Sequence, residues 1–85
     1  MKISVAIPTY NRAALIVDTV NSILAQTYPV DQIVIVDDGS TDNTESIVKS
    51  LSNKIIYKKI NNAGPAEARR RAIALCDNDW VALCD

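Results

Sequence analysis

A parallel β-sheet with helices on both faces is the fold class predicted for these 85 residues, and two observations predict it. Short β-branched apolar runs alternate with stretches of helical periodicity in the order βαβαβαβ, joined by short connections. Strands and helices alternating in this way form parallel pairs through right-handed crossovers. The apolar runs are also nearly continuous, as in strands buried on both faces. The length allows one small domain at most.

Residues 3–7 form the first predicted strand, closed by Pro8. A polar loop follows, Thr9-Tyr10-Asn11-Arg12. Over residues 13–26, Ile16, Val20, Ile23, Leu24 and the following Thr27 recur at spacings of three and four, which define one helical face. Tyr28-Pro29 stops that helix. Residues 32–36 make a second buried strand, ending in Asp37-Asp38-Gly39-Ser40. Asp42 with Glu45 has the spacing of a capping box. Ile47, Val48 and Leu51 then face one way along a second helix that ends near Asn53. In residues 54–60, Ile55, Ile56 and Tyr57 stand between lysines, which suggests a third strand near a sheet edge. Pro65 suits the first turn of a third helix, where its missing N–H costs nothing. Ala68, Ala72, Leu75 and Cys76 form that helix's apolar stripe. Asp77-Asn78-Asp79 turns the chain, and residues 80–84 form a fourth strand.

Hydrophobic residues make up 48% of the chain and charged residues 22%, which excludes a disordered tail. A net charge of −1 gives no electrostatic case for nucleic acid or an anionic membrane. No run approaches the roughly 20 apolar residues of a membrane helix. The first apolar run is too short for a signal peptide. A soluble, cytoplasmic segment is expected, with the inner face of the membrane as an alternative location for the parent protein. Cys76 and Cys84 read as buried, reduced thiols, because neither has a CxxC or His partner.

Ligands of open α/β sheets bind beyond the carboxyl ends of the strands, where strand order switches. With a strand order of 3-2-1-4, three polar groups converge there: residues 8–12, residues 37–40, and Asp85. The first βα turn carries neither GxGxxG nor GxxxxGK[ST], so a backbone phosphate cradle is not expected. A nucleotide would need another grip. Carboxylates can accept hydrogen bonds from a base or ribose, or hold a divalent cation against a diphosphate. Tyr10 can stack on a base.

Ser4-Val5-Ala6-Ile7-Pro8-Thr9-Tyr10-Asn11-Arg12 resembles the opening of the inverting glycosyltransferase family 2, whose fold is the Rossmann-like GT-A domain. Gln26-Thr27-Tyr28-Pro29 is similar to the family's segment after its first helix. Ile35-Val36-Asp37-Asp38-Gly39-Ser40-Thr41-Asp42 resembles its nucleotide-binding signature. Asn62-Ala63-Gly64-Pro65-Ala66 with Ala68-Arg69 resembles its third block. Trp80-Val81-Ala82-Leu83-Cys84-Asp85 resembles the strand entering its DxD motif. Together these segments span the whole chain in order.

The resemblance implies that residues 1–85 are the N-terminal nucleotide-sugar-binding part of an incomplete GT-A domain. It implies transfer of a sugar from a nucleoside-diphosphate donor, a UDP-sugar by expectation, to an acceptor it does not name. Pro8, Thr9 and Tyr10 would lie along the nucleotide, with Tyr10 against the base. Asp37 and Asp38 are both expected in the nucleotide-binding set: Asp38 would read the base, while Asp37 orients the loop or caps N–H groups beside it. Arg69 would meet the nucleotide or an Asp, and Arg70 and Arg71 would form a solvated face. Asp85 would be the first Asp of DxD, which holds Mg²⁺ or Mn²⁺ in the parent enzyme. Arg70 departs from the family's usual Asn, and Asn78 from its usual Gly. No residue here matches the carboxylate base of inverting transfer, so the 85-residue chain alone is expected to lack transferase activity. Two other readings remain. One is a nucleotide-binding module without chemistry. The other is a self-associating piece joined through the apolar edge of its fourth strand. A nicotinamide-type dehydrogenase is disfavoured by the missing glycine fingerprint.

Overall fold

The structure, a computed structural model, describes residues 2–26, 30–76 and 80–84. The elements run β1 (Ile3–Thr9), α1 (Ala13–Leu24), β2 (Gln32–Asp37), α2 (Thr44–Lys49), β3 (Ile55–Lys59), α3 (Pro65–Leu75) and β4 (Trp80–Leu83). The four strands form one parallel sheet in the order β3-β2-β1-β4. This is the predicted α/β class and strand order, with β3 at an edge.

Alternation along the strands builds two separate cores, because successive side chains leave opposite faces. Val5, Ile7, Ile33 and Ile35 face α1 and α2, where they pack on Ile16, Val20, Ile23 and Val48. Ala6, Val34 and Val36 face the other way, onto Ala68 and Ala72 of α3 and onto Ile60. The chain steps outward from β1 to β2 to β3, then returns past β1 to β4. Reversing direction under right-handed crossovers moves the connecting helix to the opposite face. That reversal opens a crevice beside β1.

Several local expectations are corrected. β1 does not stop at Pro8 but continues to Thr9, with Pro8 in register with Val36. Odd-numbered residues of β1 bond toward β2, as the Asp38 N–H to Thr9 carbonyl bond shows. Even-numbered ones bond toward β4, where Cys84 donates to the Ala6 carbonyl. The missing N–H of Pro8 therefore faces the β4 side, and the described pairing on that side ends at Ala6 with Leu83. No capping box forms at α2. Asn43 occupies the cap position, one Asp42 oxygen accepts the Thr44 N–H and hydroxyl as an Asx turn, and Glu45 pairs with Lys49 one turn on. Leu24 and Leu75 are exposed rather than on the buried stripes, because small or β-branched neighbours already fill the sheet-facing positions. Cys76 and Cys84 are reduced thiols and half-buried, not fully buried. Pro65 does open α3. The expectations for Thr27, Tyr28-Pro29, Asp77-Asn78-Asp79 and Asp85 lie outside the described residues.

Candidate nucleotide site

A cavity of about 710 Å³ occupies the crevice at the carboxyl ends of β1 and β4, between the first turns of α1 and α3. Its floor is apolar, with Ile7, Ile16 and Ala68 supplied by three different elements. Pro8, Thr9, Tyr10, Asp38 and Arg69 all line it. Arg12, from the converging group 8–12, lines it too, as do Asn62 and Cys84, to which the sequence assigned no site role. This is the switch-point location at which open α/β sheets take ligands.

Tyr10 follows the last residue of β1, lines the cavity and is 45% exposed. Asp38 is buried and heavily bonded. Its Oδ1 accepts the Ala63 N–H at 2.7 Å and its Oδ2 accepts the Gly64 N–H at 3.0 Å. Its carbonyl accepts from the Asn62 side chain at 3.2 Å. Each carboxylate oxygen keeps a second lone pair for another donor. Asp38 thus organises the turn into α3 while lining the cavity. These bonds also use the backbone donors of Ala63 and Gly64, which are therefore not free to cradle a phosphate.

Asp37 sits elsewhere. It is fully buried, does not line the cavity, and accepts the Ser40 N–H at 2.8 Å and the Tyr57 hydroxyl at 2.5 Å. Its carboxylate joins the loop after β2 to Tyr57 of β3 and is not part of the cavity lining. Burial pushes the Tyr57 phenol well above its ordinary value, with the bond to the Asp37 carboxylate adding to the shift. Arg70 and Arg71 point to solvent and hold Glu67 at 2.6 and 2.7 Å. Their hydrogen bonds, Arg70 first, lower the Glu67 carboxyl to about 2. Two cationic side chains, Arg12 and Arg69, line the cavity, and guanidinium groups suit a diphosphate. Among the described residues no group of three or more His, Cys, Asp or Glu could hold a metal ion, and the expected ligand Asp85 lies outside them.

The chain is 36% identical over 91 residues to a poly(ribitol-phosphate) β-N-acetylglucosaminyltransferase, TarS, of Staphylococcus aureus, covering 100% of this chain and 16% of that protein. The crystal structure of S. aureus TarS 1–349 in complex with UDP-GlcNAc superimposes with a TM-score of 0.88 at 35% identity, covering 100% of this chain and 26% of that one. Glucosyl-3-phosphoglycerate synthase of Mycobacterium tuberculosis, solved with Mn²⁺, UDP and glucosyl-3-phosphoglycerate, gives a TM-score of 0.80 at 28% identity over 99% of this chain and 33% of that one. The chain spans about a sixth to a third of the length of these relatives. The profile of glycosyl transferase family 2 matches residues 4–85, and the chain belongs to that family.

Proposed function

We propose that this chain forms the nucleotide-binding part of an enzyme that transfers a sugar from a nucleoside-diphosphate donor, with UDP as the nucleotide. The observation that carries the reading is the gathering of Tyr10, Asp38 and Arg69 around one cavity at the switch point. Tyr10 stacks on the base, and Asp38 accepts from the base through the lone pairs its backbone partners leave free. Pro8 and Thr9 line the wall along the nucleoside, and Arg69 faces the diphosphate. The related complexes with UDP and UDP-GlcNAc support a uridine donor. A divalent cation, Mg²⁺ or Mn²⁺, would stabilise charge on the leaving diphosphate. The Mn²⁺ complex of one relative supports that assignment, and Asp85 is its proposed ligand here by resemblance. Acceptor and transfer base belong to the whole protein and are not assigned. Self-association through the open edge of β4 is proposed alongside.

Titrating UDP while following the backbone amides of Tyr10 and Asp38 tests the reading. Saturable shifts are expected at both. A ring stacked on a base contributes about 1–3 kcal/mol, so Tyr10→Ala should weaken UDP about 5- to 150-fold. Tyr10→Phe, which keeps the ring, should bind nearly as the parent does. Absence of any shift at millimolar UDP would overturn the proposal.

A further inference from the structure

The loop that carries Tyr10 is tied to the loop that carries Asp38 by one side chain, Asn11. Its Oδ1 accepts the Thr41 N–H at 2.8 Å, the Asp42 N–H at 3.3 Å and the Thr41 hydroxyl at 3.4 Å. Its own N–H donates to Ser40 Oγ at 2.8 Å. On the other side of Tyr10, the Thr9 carbonyl accepts the Asp38 N–H at 2.9 Å. Tyr10 is thus held between two fixed neighbours, both anchored to the turn after β2. The Asn11 backbone has φ +49°, the one positive value at a described non-glycine residue. Asn tolerates that conformation where most side chains do not. Ser40 passes the connection inward, since its N–H donates to the buried Asp37 carboxylate, which also holds Tyr57.

From this geometry we infer that Asn11 is a positioning residue that pre-orders Tyr10 toward the cavity at a set distance from Asp38. The inference deepens the nucleotide-binding reading and rests on it. The bonds to Asn11 Oδ1 lie at the surface, so losing them exposes donors to water rather than orphaning them in the core. Binding should therefore change more than stability. A loop that must be ordered on binding gives up affinity in proportion to the freedom it loses.

Asn11→Gly removes the carboxamide and keeps the backbone conformation accessible. This variant should weaken UDP about 2- to 12-fold, the equivalent of ordering one side chain on binding. In a Tyr10→Ala background the same change should have no further effect, because the residue through which Asn11 acts is gone. In the ligand-free protein, the heteronuclear NOE of the Tyr10 amide should fall in Asn11→Gly. Amide exchange at Thr41 should speed up, while the thermal midpoint stays close to the parent's. Undiminished UDP affinity, or an equal loss with and without Tyr10, would overturn the inference. So would an unchanged Tyr10 NOE, which reads the clamp without nucleotide. If the parent fails to bind UDP while the NOE falls as expected, the donor reading fails and the clamp stands.

Discussion

Asp37 and Asp38 are adjacent in the chain, yet they do different work, and the strand that carries them is the reason. Asp37 is the last residue of β2 and sits on the same side as Ile33 and Ile35, toward Tyr57. Asp38 lies past the strand's end, where the chain has turned toward the α3 loop. Removing the Tyr57 hydroxyl would leave one oxygen of a fully buried carboxylate without its donor. Tyr57→Phe is therefore expected to cost about 1–3 kcal/mol in chemical denaturation. The same contact has an alkaline signature. The folded phenol ionises above its ordinary value of 10.0, so its contribution is complete below that pH. It is lost as the pH rises through the raised value. An ultraviolet titration should show a phase above the ordinary tyrosine range, and Tyr57→Phe should abolish it. A titration in which Tyr57→Phe leaves the most alkaline phase unchanged would contradict this contact.

At the scale of the elements, the turn after β2 and the loop before α3 are built against each other. Gly39 has φ +86°, and a Cβ there would stand 3.2 Å from the Asn62 backbone N and 3.3 Å from the Ile60 carbonyl. Gly64 has φ +96°, but a Cβ there would meet nothing within 4 Å. Both positions carry the penalty of a positive φ, about 1–3 kcal/mol for a non-glycine residue. Only Gly39 adds a tight approach to backbone atoms, which would have to give way to admit a Cβ. Gly39→Ala should thus destabilise the fold more than Gly64→Ala, and it alone should displace Asn62 and the Asp38 contacts. Equal denaturation midpoints for the two variants would refute the close packing of these loops. Much of this was legible in the chain: Asp-Gly-Ser is turn chemistry, and Gly-Pro marks a helix start. The bonds from Asp38 to Ala63 and Gly64 were not legible, because they join residues 25 and 26 positions apart. The linking role of Asn11, a member of the group 8–12, is not legible for a similar reason. Its type hinted at a left-handed turn, but its partners lie about 30 residues away.

For the molecule as a whole, β4 pairs with β1 on one side, and its four residues are all exposed, Trp80 at 61%. No helix among the described residues is long and apolar enough to cross a membrane. An apolar strand with unpaired backbone groups is a template for another strand. The proposed self-association predicts a weight-average mass that rises with concentration in sedimentation equilibrium. Val81→Lys, which charges the middle of that edge, should return the chain toward monomer. A single monomeric species across the concentration range would count against the proposal.

The sequence by itself determined the fold class and the family, while the strand order 3-2-1-4 was an expectation that the structure bears out. Continuous β-branched runs and three-four spacings are local signals, and right-handed crossovers leave few ways to connect them. It also selected Pro8, Thr9, Tyr10, Asp38 and Arg69, all of which the fold brings to one cavity. Only the tertiary structure separated Asp37 from that group and tied Tyr10 to the β2 loop through Asn11. The physical reason is that which face a carboxylate takes, and which distant N–H it meets, depends on register and loop approach. Those are set by packing between elements, not by the order of residues within one.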